Sequence, residues 1–194
     1  MVEKFSDEQK LSETVHLNLR EVSTGVFYPE NQPIFVTTAH ITFLKQVAIS
    51  TPRRRARLCF HPSPGETLHE MLIVHHRTCY VRPHAHLRNA ESLLVLEGCA
   101  DALLFDADGR IADIRSMAAG DAPRRGSSHY YRIPPRRLHA LLIRSEWLVF
   151  QEVAQGPFDP AMTDFPDWAP GVDATDAIGI AWLENQIHEK PHSL

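Results

Sequence analysis

With 194 residues, 43% hydrophobic and 23% charged, the chain has the size and composition of one ordinary globular domain with a full core. A formal net charge of −4 argues against a dedicated nucleic-acid binder, and no segment supplies the run of about 18 apolar residues that a transmembrane helix requires. The three cysteines, Cys59, Cys79 and Cys99, contain no CxxC pair, and residues 1–10 are charged where a signal peptide would be apolar. Reduced thiols and a cytoplasmic location are therefore expected.

In chain order, Val26 to Tyr28 and Ile34 to Val36 predict short strands around the turn-prone Pro29 to Pro33. His40 to Ala48, with apolar Ile41, Phe43, Leu44, Val47 and Ala48, predicts an amphipathic helix. The arginine-rich run Ser50 to Arg57 leads into a region dense in strand signals. Those signals are Met71 to Val74, Tyr80-Val81, Ser92 to Leu96, Ala102 to Phe105, Ile111 to Met117, Tyr130 to Ile133, Leu138 to Ile143 and Trp147 to Val153. Asp106 to Gly109 supplies a tight turn, with Gly109 free to take a left-handed conformation. Many short strands joined by turns predict an antiparallel sandwich or barrel. Beyond it, Gln155 to Pro170 reads as an ordered strap held by Phe158, Phe165 and Trp168. Residues 175–189 read as a helix with Ile178, Ala181, Trp182 and Leu183 on one face, capped by Asp173 or Thr175 and stopped by Pro191. The expected organisation is an N-terminal extension over 1–57, a barrel over 58–154, and a C-terminal strap and helix over 155–194.

The segment Tyr80 to Glu91 carries the chemistry. His84 and His86 are two apart, so on a strand both rings point to one face. Glu91 opens the next apolar run, and His139 opens another after Pro134-Pro135. Three imidazoles and a carboxylate are a mixed donor set for one divalent transition metal, with iron, zinc, nickel and manganese all compatible. Twelve histidines in the chain weaken any single pair as a signal; Glu91 and His139 strengthen this one.

Together these elements resemble the cupin superfamily. Its first motif runs glycine, His-x-His, glutamate, glycine; His84, His86, Glu91 and Gly98 fit, while Thr78 stands at the first glycine. In the second motif Pro134 and His139 match, whereas Arg136 replaces a glycine and Ile143 an asparagine. These departures concern turns and strands, not metal donors. The resemblance implies an all-β fold, a cupin double-stranded β-helix (a jelly-roll-like barrel), here with a short N-terminal β/α extension and a C-terminal helix. Over about 20–170 the chain looks like the WbuC family of cupin metalloproteins: Arg55 and Arg57 with His61, Met71 to Ile73, Tyr80 to His86, Leu103 to Gly109, Ile133 to Pro135, Gly156 to Pro160, and Trp168 to Pro170 carry that likeness. It implies a link to surface-polysaccharide (O-antigen) gene clusters.

If His84 and His86 face inward, alternation places Arg82 and Tyr80 on the same face, where they are expected to bind substrate. From Glu91 the inward set continues to Leu93 and Val95, and from His139 to Leu141 and Ile143. Arg55, Arg57 and His61 could add an anion-binding edge, raised by their match to the family, with Arg55 and Arg57 as further substrate-binding candidates. Arg53 and Arg54 read as solvated, and Arg124, Arg125, Arg132, Arg136 and Arg137 as surface charge. His75 and His76 are consecutive, so at most one can join the site, and neither is assigned to it. Tyr130 and Tyr131 read as packing or edge residues. The function expected is a metal-dependent enzyme of oxygenase, isomerase or lyase type acting on a small sugar-derived or carboxylated molecule. The alternatives are a non-catalytic sugar-binding or sensing module and a metal-free sugar-nucleotide epimerase. Leu94 and Leu96 on the outward face predict a homodimer.

Overall fold

The computed structural model describes residues 17–120 and 126–189. The expectations for residues 1–10, Arg124, Arg125 and Pro191 lie outside these. Period-two alternation is realised as strands β1 (Leu19–Ser23), β2 (Val26–Pro29), β3 (Arg55–Cys59), β4 (Leu68–His76), β5 (Ala85–His86) and β6 (Glu91–Glu97). It continues through β7 (Cys99–Phe105), β8 (Ile111–Ala118), β9 (Tyr130–Ile133), β10 (His139–Ile143), β11 (Trp147–Gln155) and β12 (Thr163–Asp164). Helix α1 (Thr38–Ser50) lies between β2 and β3, and α2 (Asp176–Glu189) ends the described chain.

The strands form a large sheet in the order β1-β2-β3-β4-β11-β6-β9, a small one in the order β10-β7-β8, and the pair β12-β5. Strand pairs are antiparallel except β2 with β3. Between the two larger sheets lies the main core: Met71, Ile73, Leu93, Val95 and Phe150 from one, Ala102, Met117, Leu141 and Ile143 from the other. Together they make a jelly-roll-like barrel, a double-stranded β-helix. The inward sets expected from Glu91 and His139 are all in this core.

The outer faces are covered too. Helix α1 buries His40, Leu44 and Ala48 at four-residue spacing against Ala56, Leu58, Leu72, Val74 and Val149. His40 also accepts from the Thr37 backbone N–H at 3.1 Å, closing the helix start. On the other side α2 sits on β7 and β10, which is why all five residues of β10 are buried. Its register is set by Gly179, whose missing side chain makes room for the Tyr80 ring. Leu183 is fully buried, but Ile178, expected on the same face, is 57% exposed.

Two strand expectations fail for one reason. Ile34 to Val36 forms no strand because β2 is already paired on both edges, by β1 and β3, and the chain must leave the sheet to enter α1. Tyr80-Val81 likewise has no ladder; residues 77–83 form a turn and an irregular crossing between β4 and β5. Strand β3 is an additional element, its alternation hidden in the sequence by its arginines. Gly109 takes φ 86° in the turn expected at Asp106 to Gly109, with its N–H donating to the Asp106 carbonyl at 3.1 Å.

Candidate metal centre

His84 and His139 face each other across an antiparallel bridge: His84 N–H donates to the His139 carbonyl at 3.0 Å and His139 N–H to the His84 carbonyl at 2.9 Å. His86, two residues on, shares the face of His84, and β5 is held on its other edge by β12. Glu91 begins β6 opposite Ile133 of β9 and Ala154 of β11. Arg136 keeps a left-handed φ of 65° at the position where the cupin motif has glycine, and its N–H donates to the His86 carbonyl at 2.7 Å. The turn survives the substitution. As a result one donor atom from each of His84, His86, Glu91 and His139 lies within 4.8 Å of all the others.

The chemistry of these donors fits a cation. His84 Nδ1 lies 2.8 Å from the Arg82 carbonyl and His139 Nδ1 2.9 Å from the Arg137 carbonyl. Each Nδ1–H can donate there, which leaves Nε2 as the lone-pair donor of the neutral ring. His139 Nε2 is buried and has no aligned hydrogen-bond partner, although Glu91 Oε1 is 2.9 Å away. Atoms so close yet misaligned are placed as two ligands of a common centre would be. Glu91 is anchored by His86 Nε2 on Oε2 at 2.9 Å and by the Tyr131 hydroxyl on Oε1 at 2.8 Å.

The electrostatics follow from burial and these contacts. Burial opposes the charge on Glu91, but its close contacts with His139 and His86 outweigh it and hold the carboxyl well below its usual range. Burial, then the positive charge of His139, pushes His84 down to about 4. Burial also opposes charge on His139, yet its contact with Glu91 keeps it raised. Burial and the Glu91 charge push Tyr131 well above the phenol range, so its hydroxyl is a donor. Glu152 on the same inner face is raised to about 8, by burial first and by Glu91 second.

A cavity of about 490 Å³ opens onto the four donors. Arg55 and Arg57 line it, but Arg82 and Tyr80 do not. Because 77–83 is not a strand, the assumed phase is lost: Arg82 Nη2 donates to the Pro166 carbonyl at 3.1 Å and its guanidinium lies over the Phe165 ring. Tyr80 packs in the outer core, with its hydroxyl 3.4 Å from the Pro170 carbonyl. His61 lies away from this cavity, stacked on His69 at 4.0 Å. Sequence reasoning missed Tyr131, His75, Glu152 and Arg53, all of which line the cavity. A glutamate inside the apolar run of β11 was the signal for Glu152. His76 instead packs on Trp147.

Residues 36–117 match a family model described as a domain of unknown function (DUF6016). No curated protein matches the sequence. Among solved structures, a point mutant of Bacillus subtilis oxalate decarboxylase is 20% identical, covering 59% of this chain and 28% of that one, with a TM-score of 0.45. KdgF from a Halomonas species is 17% identical over 58% of this chain and 86% of that one, TM-score 0.43. An oxalate oxidase in complex with the substrate analogue glycolate is 17% identical over 60% and 57%, TM-score 0.44. This chain spans about a quarter of the length of the oxalate decarboxylases it matches.

Proposed function

We propose that the chain is a metal-dependent cupin enzyme acting on a small sugar-derived or carboxylated molecule, with His84, His86, Glu91 and His139 as ligands of one divalent transition metal. The observation that carries this reading is the convergence of the four donor atoms within 4.8 Å, with two imidazoles oriented by backbone carbonyls. A cation there would polarise a substrate oxygen. Arg55 and Arg57, from the end of the 1–57 extension, would bind the substrate in the cavity of the 58–154 barrel, and the 155–194 strap and helix would close its outer side. Kinship with the WbuC family, and with it a role in surface-polysaccharide synthesis, is part of the proposal. So is a homodimer: Leu94 and Leu96 are 36% and 45% exposed, beside Tyr130 on β9. The cytoplasm suits three free cysteines.

Metal content of the purified protein tests the centre. Wild type and His76→Ala should carry about one ion per chain, and His139→Ala should lose it, because of these two histidines only His139 is a proposed ligand. Equal content in all three would refute the assignment.

A further inference from the structure

The cavity does not end at the four donors. Its far wall comes from β3 and β4. Ala56 and Leu58 bury themselves beneath α1, so alternation turns Arg55 and Arg57 inward, and His75 lies opposite Arg55 in the β3–β4 register. His75 is 6% exposed, yet its Nδ1 has no hydrogen-bond partner; nor has the buried Nε of Arg57. Among the described residues no carboxylate forms an ion pair with Arg55 or Arg57. Glu152 shares the cavity and its charge acts on both arginines, but among the described residues it forms no ion pair with either. The left-handed backbone at Arg54, φ 51°, sends that residue outward to the Ile49 carbonyl and leaves Arg53 on the cavity side at the mouth.

A guanidinium keeps its charge in proteins, and a buried donor without an acceptor is costly. Burial, then the charges of Arg55 and Arg57, drives His75 down to about 3, so it stands there as a neutral ring. The wall is thus short of acceptors on the side away from the four donors. Strands β4 and β11 separate β3 from β6, so the arginine strand and the Glu91 strand lie about 14 Å apart along the sheet.

We infer that Arg55, Arg57 and His75 form a second anion subsite, and that the ligand of this cavity is an elongated dianion. One carboxylate sits at the His84–His86–Glu91–His139 centre, and a second carboxylate or a phosphate sits on the arginine wall. The Arg57 fork takes two oxygens of that group, His75 donates to another, and Arg53 and Arg55 draw the anion in from the mouth. The first end rests on the metal-centre proposal; the second stands on side chains of this chain alone.

Calorimetric titration of the full chain, metal-loaded and chelator-stripped, tests both ends separately. The probes are oxalate, succinate, adipate, butyrate, hexanoate, an ω-phosphorylated carboxylic acid and inorganic phosphate. Metal-loaded wild type should bind succinate or adipate at least about tenfold more tightly than the monoacid of equal length, the effect of one charge-assisted pair. Oxalate, too short to reach the arginine wall, should bind equally well to wild type and to Arg57→Met. Arg57→Met should erase the preference while metal content stays normal; Arg55→Gln serves the same comparison if Arg57→Met does not fold. Stripped protein should still bind inorganic phosphate, and the arginine variant should lose it. Where the diacid preference is seen, the order of affinity between the phosphorylated acid and the diacid identifies the second group. If the protein takes up no metal but phosphate binding depends on Arg57, the metal centre fails and the subsite stands. Equal binding of diacid and monoacid by metal-loaded wild type, or phosphate binding unchanged in the arginine variant, overturns the subsite.

Discussion

Replacing Tyr131 by Phe removes one oxygen atom from the interior and leaves the ring to pack where it does now, against the main core. That oxygen donates at 2.8 Å to Glu91 Oε1. The other close atom on Oε1, His139 Nε2, is misaligned, so the tyrosine is the aligned donor on that oxygen among the described residues. Loss of a hydrogen bond to a buried charged group typically costs about 1.5–3 kcal/mol. Removing an outer partner of a metal ligand typically weakens metal binding by about ten- to a hundredfold, or about 1.4–2.8 kcal/mol. The two ranges agree because both measure how firmly the carboxylate is held. Denaturant unfolding of chelator-stripped protein should therefore show Tyr131→Phe less stable by about 1.5–3 kcal/mol. Competition against a chromophoric chelator should show the matching loss of metal affinity. An unchanged metal affinity, with an unchanged unfolding midpoint, would refute the idea that Tyr131 orients Glu91.

Two further outcomes test the frame around the site. Gly98 joins β6 to β7 at φ 79°, and a methyl group there would run into the Trp147 carbonyl oxygen; Gly98→Ala should cost on the order of 3 kcal/mol in a melt, with Gly120→Ala, open to space, near neutral as its control. His75 has a folded pKa of about 3 against an ordinary 6.5, so below 6.5 the unfolded chain takes up a proton that the folded chain refuses. Stability must fall as pH drops through this window, by about 1.4 kcal/mol per pH unit from this residue, until the folded ring also protonates near its own pKa. His75→Gln should remove that share of the acid sensitivity, about 2 kcal/mol between pH 6.5 and 5 in denaturant midpoints; parallel curves for the two proteins would show that His75 is not held neutral.

The sequence by itself determined much of the strand-and-turn pattern and the shared face of His84 and His86, because both are short-range properties; His139 joined the candidate donors only through the resemblance to a known motif. A spacing of two puts His84 and His86 on one face wherever that short stretch runs, and Gly109 or Gly98 marks a turn from its own backbone freedom. Alternation also sorted Leu93, Val95, Leu141 and Ile143 inward before any partner strand was known. It failed where a regular element was assumed to continue. Arg82 and Tyr80 were placed by strand phase, but 77–83 crosses from one sheet to the other without a ladder, so phase has no meaning there. The reverse failure is Tyr131, read as packing. Its role depends on β9 pairing with β6 so that Leu93 lies opposite it and Glu91 within reach, a long-range choice no local pattern encodes. The arginine wall has the same origin. Arg55, Arg57 and His75 meet only because β3 pairs with β4 in one register, and the left-handed Arg54 decides which arginines beside it enter the cavity. Local periodicity fixes which way a side chain points from its own strand; only the order and register of distant strands decide what it points at.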